Sequence, residues 1–151
     1  MTRFYSIDDA NTALPDVERI LMDLRDQRAV LIVLRDAVIE AADHGDDASE
    51  RDAGAAGHGT EPATTPNLAP SDPRLLRLRM QGLIDQMQAG VTRLVERDIT
   101  LREIETGLID FPALVTGRQV WLCWRLGEED IAWWHELGDG FGGRAALADL
   151  S

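Results

Sequence analysis

The sequence predicts a mainly α protein with a small antiparallel β-sheet (α+β), in which a long antiparallel helical hairpin precedes a C-terminal β-hairpin and an aromatic, glycine-rich segment. Three observations carry this prediction: apolar residues recur at helical spacing over 15–42 and again from 73 to about 98, a polar stretch separates the two runs, and after residue 98 the pattern shortens to strand-like segments. With 151 residues, 44% of them hydrophobic, the chain suits one domain, 1–151, with a core of its own.

In the first helix, PDVERILMDLRDQRAVLIVLRDAVIEAA, heptads counted from Val17 place Val17, Leu24, Leu31 and Val38 in one row and Ile20, Gln27, Leu34 and Ala41 in the other. Pro15 suits a first-turn position, so a short separate helix is expected before it, opened by Ser6 as N-cap. Residues 43–72 hold seven acids, one arginine and a single large aliphatic, Leu68, which leaves almost nothing to bury, and a disordered acidic loop is expected there.

The second helix is expected to start at Pro73 and run to about Asp98, with Leu76, Met80, Leu83, Ile84, Met87, Val91, Leu94 and Val95 on its apolar side. Gly82 and Gly90 weaken it, and they mark either a close helix approach or, as the favoured reading, simple tolerance. Beyond it, ITLREI, LIDFPAL and QVWLCWR read as strands, the last two joined by a two-residue Thr116-Gly117 turn. That turn fixes the register: Ala113 faces Val120, Phe111 faces Leu122 and Ile109 faces Trp124 on the core side. Asp110 faces Cys123 and Pro112 faces Trp121 on the other. Pro112 needs an edge or an outward N position.

Composition narrows the function classes. A net charge of -12 repels a phosphate backbone, so no nucleic-acid partner is expected. No apolar run is long enough to span a bilayer, and MTRFYSIDDANTALPD lacks the apolar region of a signal peptide, so a cytoplasmic protein without membrane insertion is expected. The lone Cys123 has no internal disulfide partner.

The segments GLIDFPA (107–113), LCWRLGE (122–128), WHE (134–136) and GFGGR (140–144), with DDANTALP near the start, resemble the bacterial family designated domain of unknown function 2203. The resemblance implies a small soluble cytosolic protein, and it supplies neither a reaction nor a catalytic residue.

The candidate site lies in CWRLGEEDIAWWHELGDGFGGR, residues 123–144. Glu128, His135 and Glu136 are candidate ligands for a divalent metal, the one cofactor these residues suggest, although no metal-ligand spacing such as CxxC or HExxH is present. If EEDIAWWHE is a helix, Glu128 and His135 share a face. If it is a strand, His135 sides with Ile131 and Trp133. Asp110, Trp121, Cys123, Trp134 and Arg144 are candidate ligand-binding residues, with Arg144 suited to an anionic substrate.

The competing structural reading has His135 hydrogen-bonded in an aromatic cluster, Glu128 paired with Arg144 and Asp110 paired with Arg125. Cys123 as a nucleophile would need His135 as its base, whereas a mid-strand cysteine reads as a buried hydrophobe. Gly138, Gly140 and Gly143 match G-x-G-x-x-G without its strand-and-helix context.

Two function classes follow. One is a nonenzymatic accessory or scaffold protein, homo-oligomeric, acting through partner surfaces and assisting assembly of a metalloenzyme. The other is a small metal- or ligand-binding enzyme built on His135 and Glu128. The first is the favoured class; convergence of His135, Glu128 and Asp110 on one solvent-reachable pocket reverses that preference, whereas burial of His135 against a carbonyl or carboxylate supports the structural reading.

Overall fold

The computed structural model describes residues 2–49 and 72–150. Two helices, α1 (Ile7–Ser49) and α2 (Pro73–Glu96), form a hairpin, and five strands follow: β1 (Thr100–Glu103), β2 (Leu108–Val115), β3 (Arg118–Arg125), β4 (Trp133–His135) and β5 (Ala145–Ala146). They make one antiparallel sheet in the order β1-β2-β3-β4-β5. The chain divides into two compact units, residues 1–28 with 86–151, and residues 29–85.

Ser6 caps α1, its Oγ accepting the Asp9 N–H at 3.0 Å. The helix then runs straight through Pro15, so the separate short helix expected before that proline does not form. Ala10, Leu14, Val17, Ile20, Leu21 and Leu24 are all buried in one continuous stripe. Their burial outweighs the roughly 3 kcal/mol that proline costs a helix interior. α1 continues to Ser49, into the first residues of the stretch expected as an acidic loop. The rest of that stretch, 50–71, lies outside the described residues.

Asp72 caps α2 by accepting the Arg74 N–H at 2.8 Å. At its far end the Ile99 N–H reaches the Leu94 carbonyl and the Asp98 N–H the Val95 carbonyl, with Asp98 at φ 59. This is a Schellman closure with an aspartate in the position glycine usually takes. Gly90 answers to a close helix approach rather than to tolerance, since a Cβ there would stand 3.1 Å from Leu24 Cδ2. Gly82 has open space and remains a tolerated residue.

The β2–β3 register follows the predicted pairs from Ile109↔Trp124 to Ala113↔Val120. Both turn residues have positive φ, Thr116 at 49 and Gly117 at 78, as a tight hairpin of the primed type requires. Pro112 sits past the end of β1, where its carbonyl accepts the Tyr5 N–H at 2.8 Å, so the missing donor falls on the side away from β3. Ile109, Phe111, Val120, Leu122 and Trp124 face the helices and form the core with Leu21, Leu24 and Leu94. The opposite face, carrying Asp110, Trp121, Cys123, Trp133 and His135, holds the candidate site.

Candidate functional site

The segment EEDIAWWHE resolves as irregular backbone over 128–132 followed by the strand Trp133–His135. A helix would need its own backbone groups, and distant partners have already taken them. The Ile131 N–H donates to Asn11 Oδ1 at 2.7 Å, the Glu129 carbonyl accepts the Trp124 indole N–H at 2.7 Å, and the Ala132 carbonyl accepts the Leu147 N–H at 2.9 Å. β4 therefore pairs with β3, setting His135 opposite Trp121 and Trp133 opposite Cys123. From β4 the imidazole reaches back over β3 to Asp110 on β2.

Asp110, Cys123 and His135 are each buried, at 1%, 1% and 2% exposure, and one ligand atom from each lies within 4.8 Å of the other two. Asp110 Oδ1 is 3.0 Å from His135 Nε2, and the other carboxylate oxygen accepts Arg102 Nε–H at 2.8 Å. His135 Nδ1 is 2.8 Å from the Glu136 carbonyl oxygen. A carbonyl can only accept, so Nδ1 carries a proton, and the Nε2···Oδ1 contact then holds one further proton between its two heavy atoms.

Both ring nitrogens are therefore engaged, and neither is free to take the Cys123 proton. Burial pushes the Cys123 thiol up to about 11, with the Asp110 carboxylate adding to the effect and Arg144 opposing it. At neutral pH the sulfur is a thiol, which does not fit a cysteine nucleophile.

The cluster opens on a cavity of about 370 Å³, bounded by Arg102, Leu108, Asp110, Cys123, His135 and the 137–141 segment. Arg102 was not legible as a site residue. It stands in the irregularity between Leu101 and Glu103, where β1 carries one residue more than β2, and alternation from Thr100, which pairs with Asp110, already places it on the site face.

The other candidate residues make their main contacts outside the cluster, Arg144 also reaching Cys123 Sγ with Nη1 at 3.8 Å. Glu136 pairs with Arg118. Glu128 and Arg144 form a two-pronged ion pair, with Nη1 to Oε1 at 3.1 Å, and the guanidinium carbon lies 4.6 Å from the Trp133 ring centre and 4.3 Å from that of Phe141. Burial raises the Glu128 carboxyl, but the Arg144 and Arg125 contacts outweigh it and hold the group below the usual range, while the Glu128 partner raises Arg144. Glu128 thus joins Arg144, as the structural reading expects, and pins the glycine-rich segment over the sheet. Asp110 does not pair with Arg125, whose guanidinium stacks over Phe141 instead, 5.1 Å from its ring. Trp121 supports Arg102 from 5.2 Å. Trp134 lies on the core face opposite Leu122, its indole N–H buried without a partner.

The fold and this polar cluster thus define a small α+β protein with an Asp-Cys-His group beside a cavity. Over residues 3–147 the chain matches the family described as uncharacterized conserved protein (DUF2203), and it belongs to that family. No curated protein and no solved structure matches it.

Proposed function

We propose that the chain is a metal-ion-binding protein in which Asp110, Cys123 and His135 hold a borderline-soft divalent cation, zinc being the best fit, with a fourth position open to the cavity. The observation that carries this reading is the convergence of three buried groups of the types zinc takes within 4.8 Å of one another. The surrounding contacts suit the role: the Glu136 carbonyl fixes the His135 tautomer and Arg102 holds Asp110, as outer partners of metal ligands do. The three-ligand, open-position arrangement is that of catalytic rather than closed structural zinc sites, and a bound ion supplies Lewis-acid polarisation of an oxygen in the cavity. Binding displaces the shared His135–Asp110 proton and the thiol proton, and the resulting thiolate and carboxylate balance the ion's charge.

Competition for zinc against a chromogenic chelator tests the proposal. Native protein is expected to hold one equivalent, with Cys123→Ser and His135→Gln weakened at least about 100-fold while retaining native circular dichroism. Equal zinc retention by folded native and variant proteins overturns it.

One further observation favours an accessory role alongside metal binding. In the 29–85 unit, among the described residues, only Leu76 is buried, whereas Val30, Val33, Ile39 and Leu78 are exposed. A two-helix unit with so little core is served by a partner surface, in keeping with a homo-oligomer or a protein partner and with assistance in metalloenzyme assembly. Cytoplasmic placement belongs to the same proposal, since a free thiol suits a reducing compartment. Light scattering on native protein and on Val33→Glu separates these: an oligomer dissociated by the substitution supports self-association, and a monomer at all concentrations excludes it. No described helix is long and apolar enough to cross a membrane.

A further inference from the structure

Resting on the metal reading, we infer that the cavity takes a small organic monocarboxylate, gripped by the guanidinium fork of Arg102 and directed at the open metal position. The β1–β2 register places Arg102 on the face of Thr100 and Asp110, and two contacts fix its plane: Nε–H on Asp110 Oδ2 at 2.8 Å, and the Trp121 ring 5.2 Å from its central carbon. Neither contact uses the two terminal nitrogens. Among the described residues these carry no hydrogen bond, and the side chain keeps 42% of its surface exposed at the cavity. An oriented guanidinium with a free fork is the group that grips a carboxylate by two parallel hydrogen bonds.

The rest of the lining sets the class of ligand. Leu108, Leu137 and Phe141 offer apolar wall, and Gly138 and Gly140 leave room beside them because each has open space where a side chain would stand. A bare inorganic anion has nothing to place against that wall. Asp139 lines the same cavity and disfavours a dianion, which selects a singly charged carboxylate over phosphate. A cavity of about 370 Å³ lies at the lower end of the range for small-molecule pockets, so the organic part is small.

The test is titration calorimetry of zinc-loaded protein with benzoate, butyrate, benzyl alcohol and phosphate, on native chain and on Arg102→Lys and Arg102→Ala, with zinc content read on the same samples. Lysine keeps a cation beside Asp110 and removes the fork. At least one carboxylate is expected to bind native protein, and to bind both variants about tenfold or more weakly per zinc-loaded molecule, with phosphate and benzyl alcohol weaker than that carboxylate by a similar factor. Zinc-loaded native protein that binds neither carboxylate, or binds them as well in Arg102→Ala, overturns the inference and leaves the metal reading standing. Protein that takes no zinc overturns the metal reading. The same titrations on the metal-free chain then decide the rest: Arg102-dependent carboxylate binding keeps the fork assignment, and its absence removes it too.

Discussion

Replacing Asp110 separates the hydrogen-bonding role of the site from its charge. In Asp110→Ala, His135 Nε2 and Arg102 Nε both lose their partner, the first at a fully buried position and the second at a side chain 42% exposed. Removing one member of a buried polar pair costs about 3–5 kcal/mol, and the exposure of Arg102 puts this case at the low end, about 3 kcal/mol. For a domain of this size that is a fall of roughly 6–12 °C in Tm.

Asp110→Asn keeps the geometry. The amide oxygen accepts from Arg102, and the amide N–H donates to the Nε2 lone pair left free when Nδ1–H bonds the Glu136 carbonyl. Its expected cost is only about 1 kcal/mol, roughly 2–4 °C in Tm. The carboxylate is lost all the same, so zinc affinity is expected to fall more than about 100-fold, beyond the 10–100-fold typical of outer partners. Thermal and urea unfolding of the three metal-free proteins reads the stability order. An asparagine variant as unstable as the alanine variant refutes the proton placement at His135, and one that binds zinc like native refutes Asp110 as a ligand.

Pro15→Ala restores the N–H that α1 lacks, at an exposed position inside a continuous helix, and is expected to raise stability by about 1–3 kcal/mol in urea unfolding; destabilisation would mean the helix needs a break there. Gly107→Ala forces a side chain onto Leu126 at φ +66, so a loss of roughly 2–4 kcal/mol is expected, whereas Gly117→Asn, at a turn with open space, is expected to be nearly neutral. For Cys123 the folded thiol lies at about 11, above its ordinary 9.0, so metal-free stability is expected to be level below about pH 9 and to fall between pH 9 and 11, more steeply than in Cys123→Ala, where the raised Tyr5 hydroxyl alone of the two contributes above about pH 10. The depressed Glu128 carboxyl works in the opposite direction. Its contribution is present above its ordinary value near 4.5 and is lost as pH drops through the lower folded value, so the stability gap between native and Glu128→Gln, about 1–2 kcal/mol at neutral pH, is expected to close in acid.

The β2–β3 hairpin was legible because strong local signals agreed: a Thr-Gly turn fixed the register and a proline demanded an open side. That register alone brought Asp110 against Cys123. The Glu128–Arg144 pair was legible from charge and proximity within one motif. The rest depended on tertiary partners. Nothing local to EEDIAWWHE reveals that Asn11, 120 residues away, claims the Ile131 N–H, so helix and strand stayed open. His135 consequently went to Asp110 and Cys123 rather than to Glu128. Pro15 read as a start because proline is a local breaker, while the stripe that overrides it only gains its energy once the sheet packs on it. Arg102 was hidden for a related reason: alternation puts it on the side of Thr100, but only the β1–β2 register, which ITLREI does not state, brings that side against Asp110.

The most direct test of the central claim is the X-ray absorption spectrum of the zinc-loaded protein at the zinc edge. One sulfur scatterer is expected at about 2.3 Å with nitrogen and oxygen scatterers at about 2.0–2.2 Å, the sulfur vanishing in Cys123→Ser. A shell of nitrogen and oxygen alone, unchanged by that substitution, would contradict it.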